Sequence, residues 1–133
     1  ERAMRIALQS LEAGRKVGYI NAHGTSTPVG DVGEIEAVRR VFGSGNTPPV
    51  SSTKSMTGHS QGATGAQEAI YCLLMLEHDF IAPSINVETL DPALDAAEIA
   101  TQRIDNAGLD TVMTNSFGFG GTNGSMLISK FQG

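Results

Sequence analysis

The sequence predicts an α/β layered domain, on three observations. Short apolar runs of strand length alternate with segments of helical periodicity. Cap and turn residues fall between them, and the last two strand-like runs are joined by a glycine-rich loop.

In order along the chain, Met4, Ala7, Leu8 and Leu11 share one helical face, so residues 1–13 form a helix that Gly14 would cap. Val17 to Ala22 reads as a buried strand ending at His23-Gly24. Asp31 followed by Glu34 has the form of a capping box, and Val32, Ile35, Val38, Val41 and Phe42 make the apolar face of the helix behind it, stopped at Gly43. Residues 44–49 are a turn, and Val50 to Thr53 a short strand. A small-residue loop, Gly58 to Gly65, leads into a helix over 63–78. Ala66, Ile70, Leu73, Leu74 and Glu77 trace its turns, and its apolar majority predicts a largely buried element. Asp91-Pro92 should open a short helical stretch, with proline in its favoured first turn. Two strands, about 111–116 and 124–131, close the chain. No internal repeat interrupts this order, so 1–133 is expected to form one domain.

Nine basic against fourteen acidic residues leave a formal charge of −5, which argues against a phosphate-binding surface and hence against nucleic acid as a partner. The longest apolar run, from Ala69 to about Leu76, is far too short for a membrane span. No secretory signal is visible, and a single cysteine makes no internal disulfide, so a reducing cytoplasm is the expected compartment. A chain that opens on Glu1, inside a predicted helix, is expected to be a fragment or a processed piece.

Three polar clusters fall where α/β domains build sites, beyond strands or at the opening of a helix. They are His23-Gly24-Thr25-Ser26-Thr27, Lys54-Ser55-Met56-Thr57-Gly58-His59 and the loop Phe117 to Asn123. Position alone leaves a structural and a functional histidine equally open. Gly58-His59-Ser60-Gln61-Gly62 fits the G-x-S-x-G turn of α/β-hydrolases, but that motif needs a buried strand before it and a histidine on a separate element after it. Here no strand precedes, and the sole downstream histidine, His78, lies on the same helix, so a hydrolase triad is not expected. His23, His59 and His78 lack metal-ligand spacing, and no phosphate-binding G-x-x-x-x-G-K-[ST] occurs; neither a metal nor a dissociable cofactor is predicted. Cys72 sits mid-helix among leucines, where burial raises a thiol's pKa, so it is read as structural rather than nucleophilic.

Taken together, His23-Gly-Thr-Ser-Thr-Pro-Val-Gly-Asp, Ser52-Thr-Lys-Ser-Met-Thr-Gly-His59 and Asn115-Ser-Phe-Gly-Phe-Gly-Gly-Thr-Asn123 resemble the β-ketoacyl synthase family. The stretch from Gln67 to Asn86 is most similar to its bacterial type I elongating branch. The resemblance implies a thiolase-like fold, of which this chain would be the C-terminal half with helices on both faces of a sheet. It implies a decarboxylative Claisen condensation, with substrates carried on the phosphopantetheine arm of acyl carrier protein, in a homodimer.

Residue by residue, the resemblance implies that His23 and His59 hold a thioester oxygen as charge develops, as neutral N–H donors in a water-poor site. It implies that Lys54 supports the second histidine, and that Glu68 holds Lys54 or a structural cation. Thr25 and Thr27 would bond the amides of the phosphopantetheine arm. Phe119 would be a gating aromatic whose backbone N–H is an oxyanion donor. Gly118, Gly120 and Gly121 would give its loop conformations closed to other residues. The family's nucleophilic cysteine has no counterpart here, so the chain alone is expected not to condense substrates. Gln61 and Thr64 depart from the pattern, standing where smaller or more apolar residues are expected. A type II or polyketide ketosynthase, or a non-catalytic ketosynthase-like partner, are the alternatives; intact His23, Lys54 and His59 speak against the last.

Overall fold

The computed structural model describes residues 1–26, 28–87, 89–94 and 98–132, and leaves the side chains of residues 28, 29 and 119 undescribed. A four-stranded sheet organises the chain. Its strands are β1 (Val17–Asn21), β2 (Val50–Ser51), β5 (Thr111–Phe117) and β6 (Asn123–Ser129), in the order β2-β1-β5-β6. β1 runs parallel to both neighbours, with Asn21 opposite Ser51 on one side and Thr114 on the other. β6 returns antiparallel to β5. A small antiparallel pair, β3 (Phe80–Ile81) and β4 (Ile104–Asp105), lies apart from this sheet.

Helices cover both faces, because successive residues of a strand point to opposite sides. On one face α1 (Arg2–Leu8) and α2 (Pro28–Phe42) bury Met4, Ile35 and Val38 against Ile20, Ala22, Val50 and Met113. On the other, α4 (Thr64–His78) buries Cys72, Met75 and Leu76 against Tyr19, Leu109 and Val112. The Tyr19 hydroxyl donates to Ser51 Oγ at 2.7 Å, and Ser51 Oγ in turn donates to the Ala82 carbonyl at 2.6 Å, so a wholly buried phenol is satisfied.

The structure corrects several local expectations. α1 stops at Leu8; consecutive turns then carry Leu11 to the core, and Gly14 (φ +85°) is a turn glycine rather than the helix cap. The Asp31–Glu34 pair is not a capping box, since α2 already begins at Pro28 and Glu34 turns inward. The strand at 50–53 ends at Ser51, because Lys54 opens a one-turn helix, α3 (Lys54–Thr57). Asp91-Pro92 forms a turn rather than a helix: Asp91 Oδ1 and its carbonyl accept the N–H groups of Ala93 and Leu94.

The largest difference concerns α4. Its predicted bounds hold, but Ile70, Leu73 and Leu74 are exposed, at 55%, 52% and 43%. The sheet takes the Thr64, Glu68, Cys72, Met75 and Leu76 side instead, so a helix apolar all round keeps one face uncovered in this chain.

Candidate active site

The C-terminal ends of β1, β2 and β5 emerge along one rim of the sheet, and all three polar clusters sit there. His23 lies just beyond β1. Its main chain is held by Glu34, a buried carboxylate of α2 that accepts the N–H of His23 at 3.0 Å and of Gly24 at 3.1 Å. Asn115 Nδ2 donates to the same carboxylate at 3.4 Å, tying β5 to this corner. Burial raises the Glu34 pKa, and these hydrogen bonds oppose the rise. The sequence reading missed Glu34 as a site residue. The available signal was an acid between apolar neighbours on the inward face of an amphipathic helix.

The His23 ring is fixed from the other side, where Nδ1 accepts the backbone N–H of Phe117, the last residue of β5, at 3.3 Å. With Nδ1 an acceptor, the neutral ring carries its proton on Nε2. The Phe117 ring lies 5.4 Å from the imidazole, centroid to centroid. The pKa of His23 is lowered from the ordinary value, chiefly by burial and then by the charges of Lys54 and His59.

His59 meets His23 edge to face, with ring centroids 5.6 Å apart and planes at 88°. Its Nδ1 lies 2.8 Å from the hydroxyl of Thr64, the first residue of α4. Although the two rings converge, His59 is exposed and His23 half-buried, so this chain alone does not provide the water-poor surroundings the resemblance implied.

Lys54 and Glu68 form an ion pair, Nζ to Oε1, beneath the histidines. Both are buried, at 8% and 1% exposure, so Glu68 is not a helix-surface acid. Burial raises the Glu68 pKa and the Lys54 ammonium opposes that. The remaining oxygen, Glu68 Oε2, and the buried Asn21 Oδ1 meet no hydrogen-bond donor.

Thr25 is half-buried behind Gly24, whereas Thr27 lies outside the described residues, as does the Phe119 side chain. The loop bearing Phe119 closes with the Gly118 N–H on the Thr122 carbonyl at 2.7 Å. Gly120 (φ +80°) and Gly121 (φ +83°) adopt the left-handed conformations expected. Gly118 does not. Its φ of −96° is open to any residue, and a Cβ there would make a tight contact, 3.3 Å from the Thr122 oxygen.

Two other readings fail on geometry. Ser60 follows α3 rather than a strand, on an exposed turn, so it is no hydrolase elbow. Cys72 is wholly buried and its thiol is pushed up to about 12, mainly by desolvation, so it supplies no thiolate.

Residues 1–88 match the family described as "Beta-ketoacyl synthase, C-terminal domain". The chain belongs to the β-ketoacyl synthase family. It is 58% identical over 133 residues to 3-oxoacyl-[acyl-carrier-protein] synthase 1 of Haemophilus influenzae, covering all of this chain and 32% of that protein. Among solved structures it resembles the ishigamide ketosynthase/chain length factor, with a TM-score of 0.89 and 34% identity over 98% of this chain and 32% of the other. It also resembles AntDE:AntF, a type II polyketide acyl-carrier protein in complex with its ketosynthase bound to the hexaketide, with a TM-score of 0.86 and 32% identity over the same shares. The chain thus spans about a third of the length of the relatives it matches. The sheet with helices on both faces is the thiolase-like α/β architecture of these ketosynthases.

Proposed function

We propose that this chain forms the enolate-stabilising part of a type I, fatty-acid-elongating β-ketoacyl-acyl-carrier-protein synthase. The observation that carries the reading is the convergence of two imidazole rings on one rim, one of them with its Nδ1 engaged and its Nε2–H available. Identity to the Haemophilus influenzae enzyme along the whole chain supports the elongating branch.

In this reading malonyl-carrier protein places its thioester oxygen against the Nε2–H groups of His23 and His59. The malonyl carboxylate leaves as carbon dioxide, and its bonding pair passes to the α-carbon as an enolate. Two N–H donors stabilise the oxygen where charge grows, and losing one such donor typically costs about 2.7–4 kcal/mol. The carbanion then attacks an acyl thioester, forming the C–C bond while the C–S bond breaks and the pair returns to sulfur. That acyl group rides on a cysteine the family resemblance assigns to the segment ahead of this one; Cys72, buried and protonated, is no candidate.

Lys54 and Glu68 keep the charge of the site balanced through their buried ion pair. Thr25 and Thr27 bond the phosphopantetheine amides, and Phe119 gates the entrance with its backbone N–H as a second oxyanion donor, on the glycine-bearing loop from Gly118 to Gly121. The carrier protein is the partner, the full-length protein is a cytoplasmic homodimer, and no cofactor beyond the carried arm takes part. Among the described residues no helix is long and apolar enough to cross a membrane.

The decisive experiment is His59→Ala in the full-length protein. Malonyl decarboxylation should collapse while acyl transfer to cysteine survives; equal loss of both steps refutes the assigned role. The 133-residue chain mixed with acyl- and malonyl-carrier protein should yield no ketoacyl product.

A further inference from the structure

The ring of His59 has one hydrogen-bond partner among the described residues, Thr64, whose Oγ1 lies 2.8 Å from Nδ1. Thr64 is only 3% exposed and opens α4, the helix whose Glu68 pairs with Lys54. The sequence pattern called for a smaller or more apolar residue here, so the hydroxyl is a departure in need of a purpose.

The direction of this hydrogen bond follows from burial. A hydroxyl carries one proton and two lone pairs, and a buried O–H needs an acceptor. Among the described residues the threonine hydroxyl has no acceptor other than His59 Nδ1. Were Nδ1–H instead to donate to Oγ1, the hydroxyl proton would be stranded in a buried position. The O–H therefore donates to Nδ1, and the neutral ring carries its proton on Nε2. A main-chain N–H does the same for His23, so each ring has its tautomer fixed by a different donor.

We propose that Thr64 is a positioning residue for His59, its buried hydroxyl donating to Nδ1 so that the ring presents Nε2–H to the substrate oxygen. This rests on the functional reading above and assigns to Thr64 a role confined to the decarboxylation step. Thr64→Val keeps the shape and removes the donor; Thr64→Ser keeps the donor and loses a methyl group.

The test uses the full-length synthase carrying this segment, with acyl transfer and malonyl-carrier-protein decarboxylation measured separately and folding checked by thermal unfolding. Thr64→Val should slow decarboxylation roughly threefold to tenfold, the worth of one neutral hydrogen bond, and leave acyl transfer unchanged. Thr64→Ser should stay close to wild type. Undiminished decarboxylation in Thr64→Val, an equal fall in both steps, or Thr64→Ser as impaired as Thr64→Val overturns the proposal. Nitrogen NMR of histidine-labelled protein gives a readout independent of rate: wild-type His59 should show an unprotonated Nδ1, and a protonated one overturns the proposal whatever the kinetics. A wild-type enzyme that fails to decarboxylate the malonyl thioester removes the functional reading itself, a result distinct from any of these.

Discussion

Phe117 donates its backbone N–H to Nδ1 of His23 across 94 positions of sequence, at 3.3 Å. The contact exists because β1 and β5 run parallel with Asn21 opposite Thr114, which brings His23, just beyond β1, to the end of β5. It fixes which nitrogen of His23 carries the proton, Nε2, because Nδ1 is engaged as an acceptor.

Burial, and after it the charges of Lys54 and His59, should make His23 titrate below the ordinary histidine value of 6.5. The sign follows from linkage: with the folded pKa below the unfolded one, the unfolded chain binds more protons as pH falls. The neutral fold loses stability as pH drops from 6.5 towards the folded pKa, and no further below it. Proton NMR of the His23 ring from pH 4 to 8 (roughly the range set by the ordinary value) checks this; a midpoint at or above 6.5 contradicts it.

Separating the partners of the Lys54–Glu68 pair should be costly. Glu68→Leu or Lys54→Met leaves one buried charge without its counter-ion, an effect of about 3–5 kcal/mol. The double variant should recover most of that stability while staying catalytically dead. Denaturant midpoints for the three variants test it, and a double variant no more stable than the singles would disprove the coupling.

Gly24→Ala should destabilise the fold by about 1–3 kcal/mol, since φ there is +37° and a Cβ would fall 2.7 Å from the Ser52 Cβ. Because Glu34 grips the N–H groups on both sides of the Cα of His23, the strain should reach the ring. Chemical shifts of His23 and Phe117 should move together in this variant, and an unmoved pair would show that the corner absorbs the change.

Leu73→Glu, on the uncovered face of α4, should leave thermal stability within about 0.5 kcal/mol of wild type. It should also reduce self-association of the 133-residue chain, because an exposed apolar patch of this kind drives association. Light scattering with a melting curve decides; a large fall in melting temperature would mean that Leu73 is part of the core.

How much of this was legible in the sequence depended on where each residue's partner lay. β1, β5, β6 and the bounds of α4 follow local apolar runs and small-residue breaks, so they could be read directly. The buried side of α4 could not, because Ile70 and Leu73 are as apolar as Met75 and Leu76, and only the sheet decides between them. His23, Lys54 and His59 stand out as candidates through ordered motifs rather than through any pattern of polarity. Glu34 was mistaken for a helix cap, since its partners at residues 23 and 24 lie on another element. Thr64 looked like a mismatch until its neighbour was known.

The parallel arrangement of β1, β2 and β5 also divides the molecule into two ends with different tolerance for change. His23, Lys54 and His59 stand at the strands' C-terminal end, while the α2–β2 turn lies at the other, its Gly45 exposed at φ +82° with open space where a Cβ would stand. A reporter peptide or fluorophore inserted at Gly45 would hang from the far end of the sheet and leave the chemistry undisturbed, giving a handle for following the protein during turnover.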